Sequence, residues 1–166
     1  MEEILLPQTR EGAGFEPIVV RQFTVFLENR VGRLQSLVRA LEQSKTRIVA
    51  LSIEESADSA LVRMICSDGD LARHALQDTK FAFAESEVLA VQLSTRTTEP
   101  LTALCVALLA AEINIHYAYP FLWQPDGPAV ALYVEDRTLA AQLLIRKGFV
   151  LIGESDLKRL SPPDGE

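Results

Sequence analysis

The feature that most narrows what this chain can fold into is that its second half repeats its first. Leu34, Leu37, Leu41 and Ile48 recur as Leu101, Leu104, Leu108 and Ile115, each 67 positions on, and Leu71 and Phe81 recur as Leu139 and Phe149, 68 positions on. Glu85-Ser86-Glu87-Val88 finds an echo in Glu154-Ser155-Asp156-Leu157 at the end of the second copy. Self-similarity carried through a whole unit marks a duplicated supersecondary module.

Each copy has the same order of elements. In the first, alternating apolar residues predict a strand over 19–27. The spacing of Leu34, Leu37, Val38 and Leu41 predicts a helix over 33–44. Strands over 48–54 and 60–66 follow, then a helix over 70–78 that Asp68 or Asp70 can cap, and a strand beginning at Phe81. The second copy reads strand 88–93, helix 101–112, strands 115–121 and 129–134 joined by a Pro125-Asp126-Gly127 turn, helix 137–146 and strand 149–152. This βαββαβ order is the split βαβ arrangement of ferredoxin-like folds. Right-handed crossovers place both helices on one face of an antiparallel sheet. The expected class is α+β, with two tandem ferredoxin-like units at 18–86 and 87–160 between loose tails at 1–17 and 161–166.

A chain of 166 residues divided in two gives units that are each marginal alone, so they are expected to pack on one another or in an oligomer. A net charge of -7 argues against a nucleic-acid backbone or an anionic membrane as partner, since phosphate recognition needs a basic face. It also outweighs a superficial fit of the tyrosines to RNA stacking. The acidic start Met1-Glu2-Glu3 is unlike a signal peptide, and no apolar run reaches the roughly eighteen residues of a membrane span, so a cytoplasmic location is expected. Cys66 and Cys105 stand where apolar residues belong and read as free buried thiols. His74 and His116 lack neighbours at ligand spacing. With no nucleophile-base order, no metal spacing and no phosphate loop, neither catalysis nor a cofactor is expected.

The most distinctive stretch is 26–34. Alternation through Phe23, Val25 and Leu27 gives way to Glu28, Asn29 and Arg30, and Gly32 opens the helix that contains Leu34. Such a turn leaves the first N–H groups of the helix without intrahelical partners at its positive end, where a small carboxylate can be held. Gly32 lets a ligand approach the main chain, and Asn29 offers a carbonyl to an ammonium and an N–H to a carboxylate. The plainer alternative is that Gly32 only serves the turn and Asn29 only satisfies local backbone.

With this turn placed in a duplicated unit, the chain resembles the ACT domain family of small regulatory modules, and residues 19–157 look like the stand-alone tandem ACT-domain proteins. Residues 26–34 are also similar to the start of acetolactate synthase small subunits. The resemblance implies a non-catalytic regulator that binds a small amino acid at a domain interface through Asn29, Arg30, Val31, Gly32, Arg33 and Leu34, and allosterically controls a metabolic enzyme. A small regulatory subunit of acetolactate synthase is the alternative. The second copy departs from the pattern. Its turn is one residue longer and has no glycine, Pro100 removes a donor, and Glu99 competes for the helix N–H groups, so a degenerate site is expected at Arg96, Thr97, Thr98 and Glu99.

Two surfaces suggest contacts. The helix 101–112 carries no charge before Glu112 and is apolar nearly all round. It is therefore expected to lie against its own sheet and a second helix, either helix 34–43 or its equivalent in another copy. Strand alternation turns Ile115, Tyr117, Tyr119 and Phe121 to one face with Ala129, Ala131 and Tyr133, an aromatic patch suited to sheet-to-sheet homodimerisation.

Overall fold

Residues 17–164 are described by the computed structural model; of the expected tails at 1–17 and 161–166, residues 1–16 and 165–166 lie outside the described residues. The first unit runs β1 (Val20–Glu28), α1 (Arg33–Gln43), β2 (Ile48–Glu55), β3 (Ser59–Cys66), α2 (Gly69–Asp78) and β4 (Ala82–Gln92). The second continues with α3 (Pro100–Ala110), β5 (Ile115–Pro120), β6 (Ala129–Val134), α4 (Arg137–Arg146), β7 (Val150–Ile152) and a short α5 (Glu154–Lys158). Asp68 caps α2 through the N–H groups of Asp70 and Leu71, and Asp136 caps α4 through that of Leu139.

Where the sequence predicts two strands, one from Phe81 and one over 88–93, the structure has a single strand, β4. Its first half pairs antiparallel with β1, from Phe26 opposite Ala82 to Val20 opposite Val88. Its second half pairs with β6 (Leu89 opposite Leu132) and with β7 (Ala90 opposite Ile152). The last strand of one unit is thus the first of the next. The predicted match between residues 85–88 and 154–157 fails for the same reason: the first segment stays in β4, while the second forms α5 behind Gly153.

The strands form one sheet in the order β2-β3-β1-β4-β6-β5, with β7 beside β4. The sheet curls until its edges meet. Ala50 of β2 bridges Phe121 just beyond β5, and the N–H of Leu122 donates to Val49 O at 2.8 Å. The helices α1–α4 lie on the outer face, because odd-numbered residues of β4 serve both helical layers. Phe83 packs with Phe23, Val25, Leu37, Leu41 and Leu76, while Leu89 and Val91 pack with Leu104, Leu108 and Leu144. The inner face holds a third core of Val20, Ile65, Val88, Ala90, Tyr119, Ala131 and Ile152, closed at one end by Leu157 of α5 and by Leu160.

Candidate functional site

At the first turn the chain leaves β1 and leans on the β2–β3 hairpin. The Asn29 N–H donates to Asp58 O at 3.3 Å, and its side-chain amide donates to Glu55 Oε1 at 2.9 Å. That N–H is therefore used within the protein, and no hydrogen bond among the described residues reaches the Asn29 side-chain carbonyl. Arg30 pairs with Glu28 at 3.1 Å, and Val31 is fully exposed. Gly32 takes φ 87° at the start of α1, where no side chain caps the helix. A Cβ at Gly32 would meet no atom within 4 Å, so the lip is open on that side. The Gly32 carbonyl accepts both the N–H and the hydroxyl of Ser36, at 3.0 and 2.9 Å. Arg33 lays its guanidinium 5.0 Å from the Phe81 ring, its Nε buried without a partner, and half-buried Leu34 packs into the core beneath. The Arg33 N–H donates to Arg30 O at 3.3 Å, so the turn combines the bare N–H groups of Leu34 and Gln35, two arginines and an exposed apolar tip within one arc.

The second turn is built differently. Pro100 takes the first helical position of α3 and Glu99 precedes it, but the Glu99 carboxylate makes no capping bond, so the expected competition for the helix N–H groups is absent. The turn is braced by its own hydroxyls, with Arg96 N–H donating to Ser94 Oγ and Glu99 N–H to Thr97 Oγ1, each at 3.2 Å. Thr98 is exposed beside them. Next to this turn lies a cavity of about 530 Å³ whose walls include Leu93, Arg96, Asp126, Lys147, Phe149 and Val150.

The aromatic face is where the phase of the strands put it, but its partner is within the chain. Tyr119 is 5% exposed, and Tyr117, Phe121 and Tyr133 pack with it on the inner core against the first unit's sheet. This corrects the expectation of sheet-to-sheet homodimerisation through these residues, since the curled sheet already covers them. Ile115 is also corrected: a register shift between Ile115 and Tyr117 turns it outward to the α3–α4 layer. Tyr117 stacks on Tyr133 at 4.9 Å and lies beneath Arg63 at 4.0 Å. Gln22, fully buried on the inner face and bonded to Tyr117, Tyr119 and Ser86, escapes a sequence reading because a glutamine in an alternating strand looks solvent-facing.

Contacts between helices run α1 to α2 and α3 to α4. The outer side of α3, expected to be covered, presents Leu101, Val106 and Leu109 at 55%, 58% and 75% exposure, and Cys105 is exposed there rather than buried. Cys66 is buried, and burial pushes its thiol up to about 12. His74 Nδ1 lies 2.7 Å from Asp70 O, a local bond. Among the described residues no group of three metal-ligating side chains converges, and no helix is long and apolar enough to cross a membrane.

The family model for the ACT domain pair matches residues 18–161. The chain belongs to that family, and its role is accordingly regulatory and ligand-binding. Among solved structures, protein BT0572 from Bacteroides thetaiotaomicron is 28% identical, with a TM-score of 0.77 over 86% of this chain and 98% of its own. The ligand-free regulatory subunit of aspartate kinase from Thermus thermophilus is 10% identical, with a TM-score of 0.53 over 79% of this chain and 93% of its own, a likeness of fold alone. Comparison with curated proteins returns no match.

Proposed function

We propose that the chain senses a small free amino acid at the Asn29–Leu34 turn and transmits its occupancy to an enzyme of amino-acid metabolism, without catalysis of its own. The observation that carries this is the uncapped start of α1 behind Gly32, with open space over the glycine and Arg30 and Arg33 on either side. A carboxylate there takes up the idle N–H groups, while the ammonium faces the Asn29 carbonyl and the Glu55 carboxylate. Because Asn29 also ties the turn to the β2–β3 hairpin, a ligand that competes for Glu55 acts on the packing of the two, and that differential affinity is the source of any signal.

The bare side of α3 is assigned to a second copy of the chain. An uncharged surface carrying Leu101, Val106 and Leu109 suits an isologous contact of like with like. Val106→Glu is expected to leave the protomer folded and shift its sedimentation to that of a monomer.

A melting-temperature screen of the standard amino acids tests the sensor. One class should raise Tm, and an excess of 100 times Kd corresponds to about 2.7 kcal/mol of added stability. Gly32→Asp should abolish the rise, since an acid at the lip repels a carboxylate. No response to any amino acid would overturn the proposal.

A further inference from the structure

The seam at which the sheet closes carries an apolar groove whose walls come from three separate parts of the chain. Val38 stands on α1, Arg47, Ile48 and Leu51 lie at the start of β2 and along it, Leu122 follows β5, and Pro162 follows α5. The groove holds about 420 Å³. Its rim is uncovered, with Leu122 62% and Trp123 44% exposed. The wall at Pro162 is anchored, since Ser161 donates to Ser67 Oγ at 3.1 Å and that oxygen accepts the Arg47 N–H at 2.9 Å.

One cation at this rim is unspent. The Arg47 guanidinium lies 4.2 Å over the Trp123 ring and forms no ion pair among the described residues, while Glu42 stands on the α1 side. An apolar trough with a cation at one end suits a short aliphatic segment preceded by acids. The chain carries such a segment before the described residues: Ile4, Leu5 and Leu6 follow Glu2 and Glu3 directly. The bare side of α3 suits it less well, because the charge in its groove is Glu99.

The tether is long enough. Ile18 lies beside α5, where a Cβ at Gly153 would meet its Cγ2 at 3.3 Å. Nine positions lead from Gly153 to Pro162, five of them in α5, a path of at most about 25 Å. Twelve lead from Leu6 to Ile18 and reach about 40 Å when extended.

We propose that residues 2–6 of this chain seat in the groove, Ile4, Leu5 and Leu6 against Val38, Leu51 and Leu122 and the two glutamates towards Arg47, and so clamp the seam between the units. The seam has little else across its main chain: the bridge of Ala50 to Phe121 rests on Leu122 and Trp123 N–H groups at 2.8 and 3.4 Å from Val49 O. A segment that touches α1, Leu122 and Pro162 together opposes its opening. The clamp does not require the Gly32 turn to bind anything.

NMR of the full chain tests it. NOEs are expected from the methyl groups of residues 4–6 to those of Val38, Leu51 and Leu122. Leu5→Asp, a change outside both folded units, should remove them and speed hydrogen exchange of the Leu122 amide while leaving that of Val91 in β4 unchanged. Arg47→Glu should weaken the same NOEs, and Glu2→Lys with Glu3→Lys in that background should restore them. NOEs from residues 4–6 to Leu101, Val106 or Leu109, contacts seen only between differently labelled chains in a mixed sample, or none to the folded units would each overturn the proposal. Unchanged exchange at Leu122 in Leu5→Asp would overturn the clamp.

Discussion

Tyr119 donates its hydroxyl to Gln22 Oε1 at 2.6 Å, a bond between β5 of the second unit and β1 of the first in the interior of the curled sheet. The same glutamine donates through Nε2 to Tyr117 Oη at 2.7 Å and to Ser86 Oγ at 3.1 Å. Buried polar groups are tolerable only when satisfied, and here one amide satisfies three hydroxyls that would otherwise be stranded between two apolar layers. Burial holds the Tyr119 phenol well above the ordinary tyrosine range, so it remains a donor at all physiological pH. The network also fixes which strand of the second unit faces β1.

Tyr119→Phe should therefore cost about 1–2 kcal/mol, because it leaves Gln22 Oε1 buried without a donor. Gln22→Leu should cost more, roughly 2–4 kcal/mol, since it strands several hydroxyls at once. The double variant should be less destabilised than the sum, as each change removes part of the penalty of the other. Urea denaturation of the four proteins measures all three quantities.

The two repeats should not be separable. Residues 82–88 of β4 complete the first sheet and residues 89–92 nucleate the second, with the inner core of Val20, Val88, Ala90 and Ile152 spanning both. A chain cut between Ser86 and Glu87 should yield two halves without dispersed NMR spectra. The intact chain should unfold in one step, with the fluorescence of its single tryptophan, Trp123, tracking far-UV circular dichroism. Non-coincident transitions would show that the units are independent.

Periodicity made the duplicated plan legible, along with most strands, the helices and the phase that turned Tyr117, Tyr119 and Tyr133 to one face. It did not show what covers that face. Nothing in the local pattern of β4 distinguishes two strands from one, because Ala84, Glu85, Ser86 and Glu87 interrupt the apolar alternation as a turn would. They are in fact held extended by β1 on one side, with Glu85 paired to Arg73. Closure of the sheet through Ala50 and Phe121 is a contact between residues 71 positions apart that no local rule predicts. At the first turn, the glycine and the open lip were legible. The engagement of Asn29 by Glu55 depends on where the hairpin swings and was not. At the second, the missing glycine gave no sign of the cleft, which is made by three connections far apart in sequence.

Acid should loosen the joint between α2 and β4. Arg73 donates through Nε and Nη2 to both oxygens of Glu85, at 2.5 and 2.8 Å. These bonds hold the Glu85 carboxyl below its ordinary value of 4.5 against the opposing effect of partial burial. Hydrogen bonding to Arg21 likewise lowers Asp70 from 3.8. A depressed folded value means that the stabilisation is full above the unfolded value and drains away as pH falls through the folded one. Tm should thus decline below about pH 4.5, and Glu85→Gln should show a shallower acid limb with a lower Tm at neutral pH. Equal acid limbs in the two proteins would place the loss elsewhere.

The two thiols should report different events. Cys66 lies in β3 facing the first helical core, 2% exposed, and with its thiol pushed up to about 12 by burial it carries almost no thiolate at neutral pH. Cys105 sits on the bare side of α3. In the native protein a thiol reagent should modify one equivalent quickly, and the second should react only as fast as the fold opens, so that its rate follows denaturant as unfolding does. The fast reaction carries further information. If a second copy covers Leu101, Val106 and Leu109, it covers Cys105 as well, and the fast rate should fall as protein concentration rises through the dimer dissociation constant. Val106→Glu should remove that dependence while leaving the slow reaction of Cys66 unchanged, because the charge lies outside the core that protects it. A Cys105 rate independent of concentration in the wild-type protein would show that α3 is not where two copies meet.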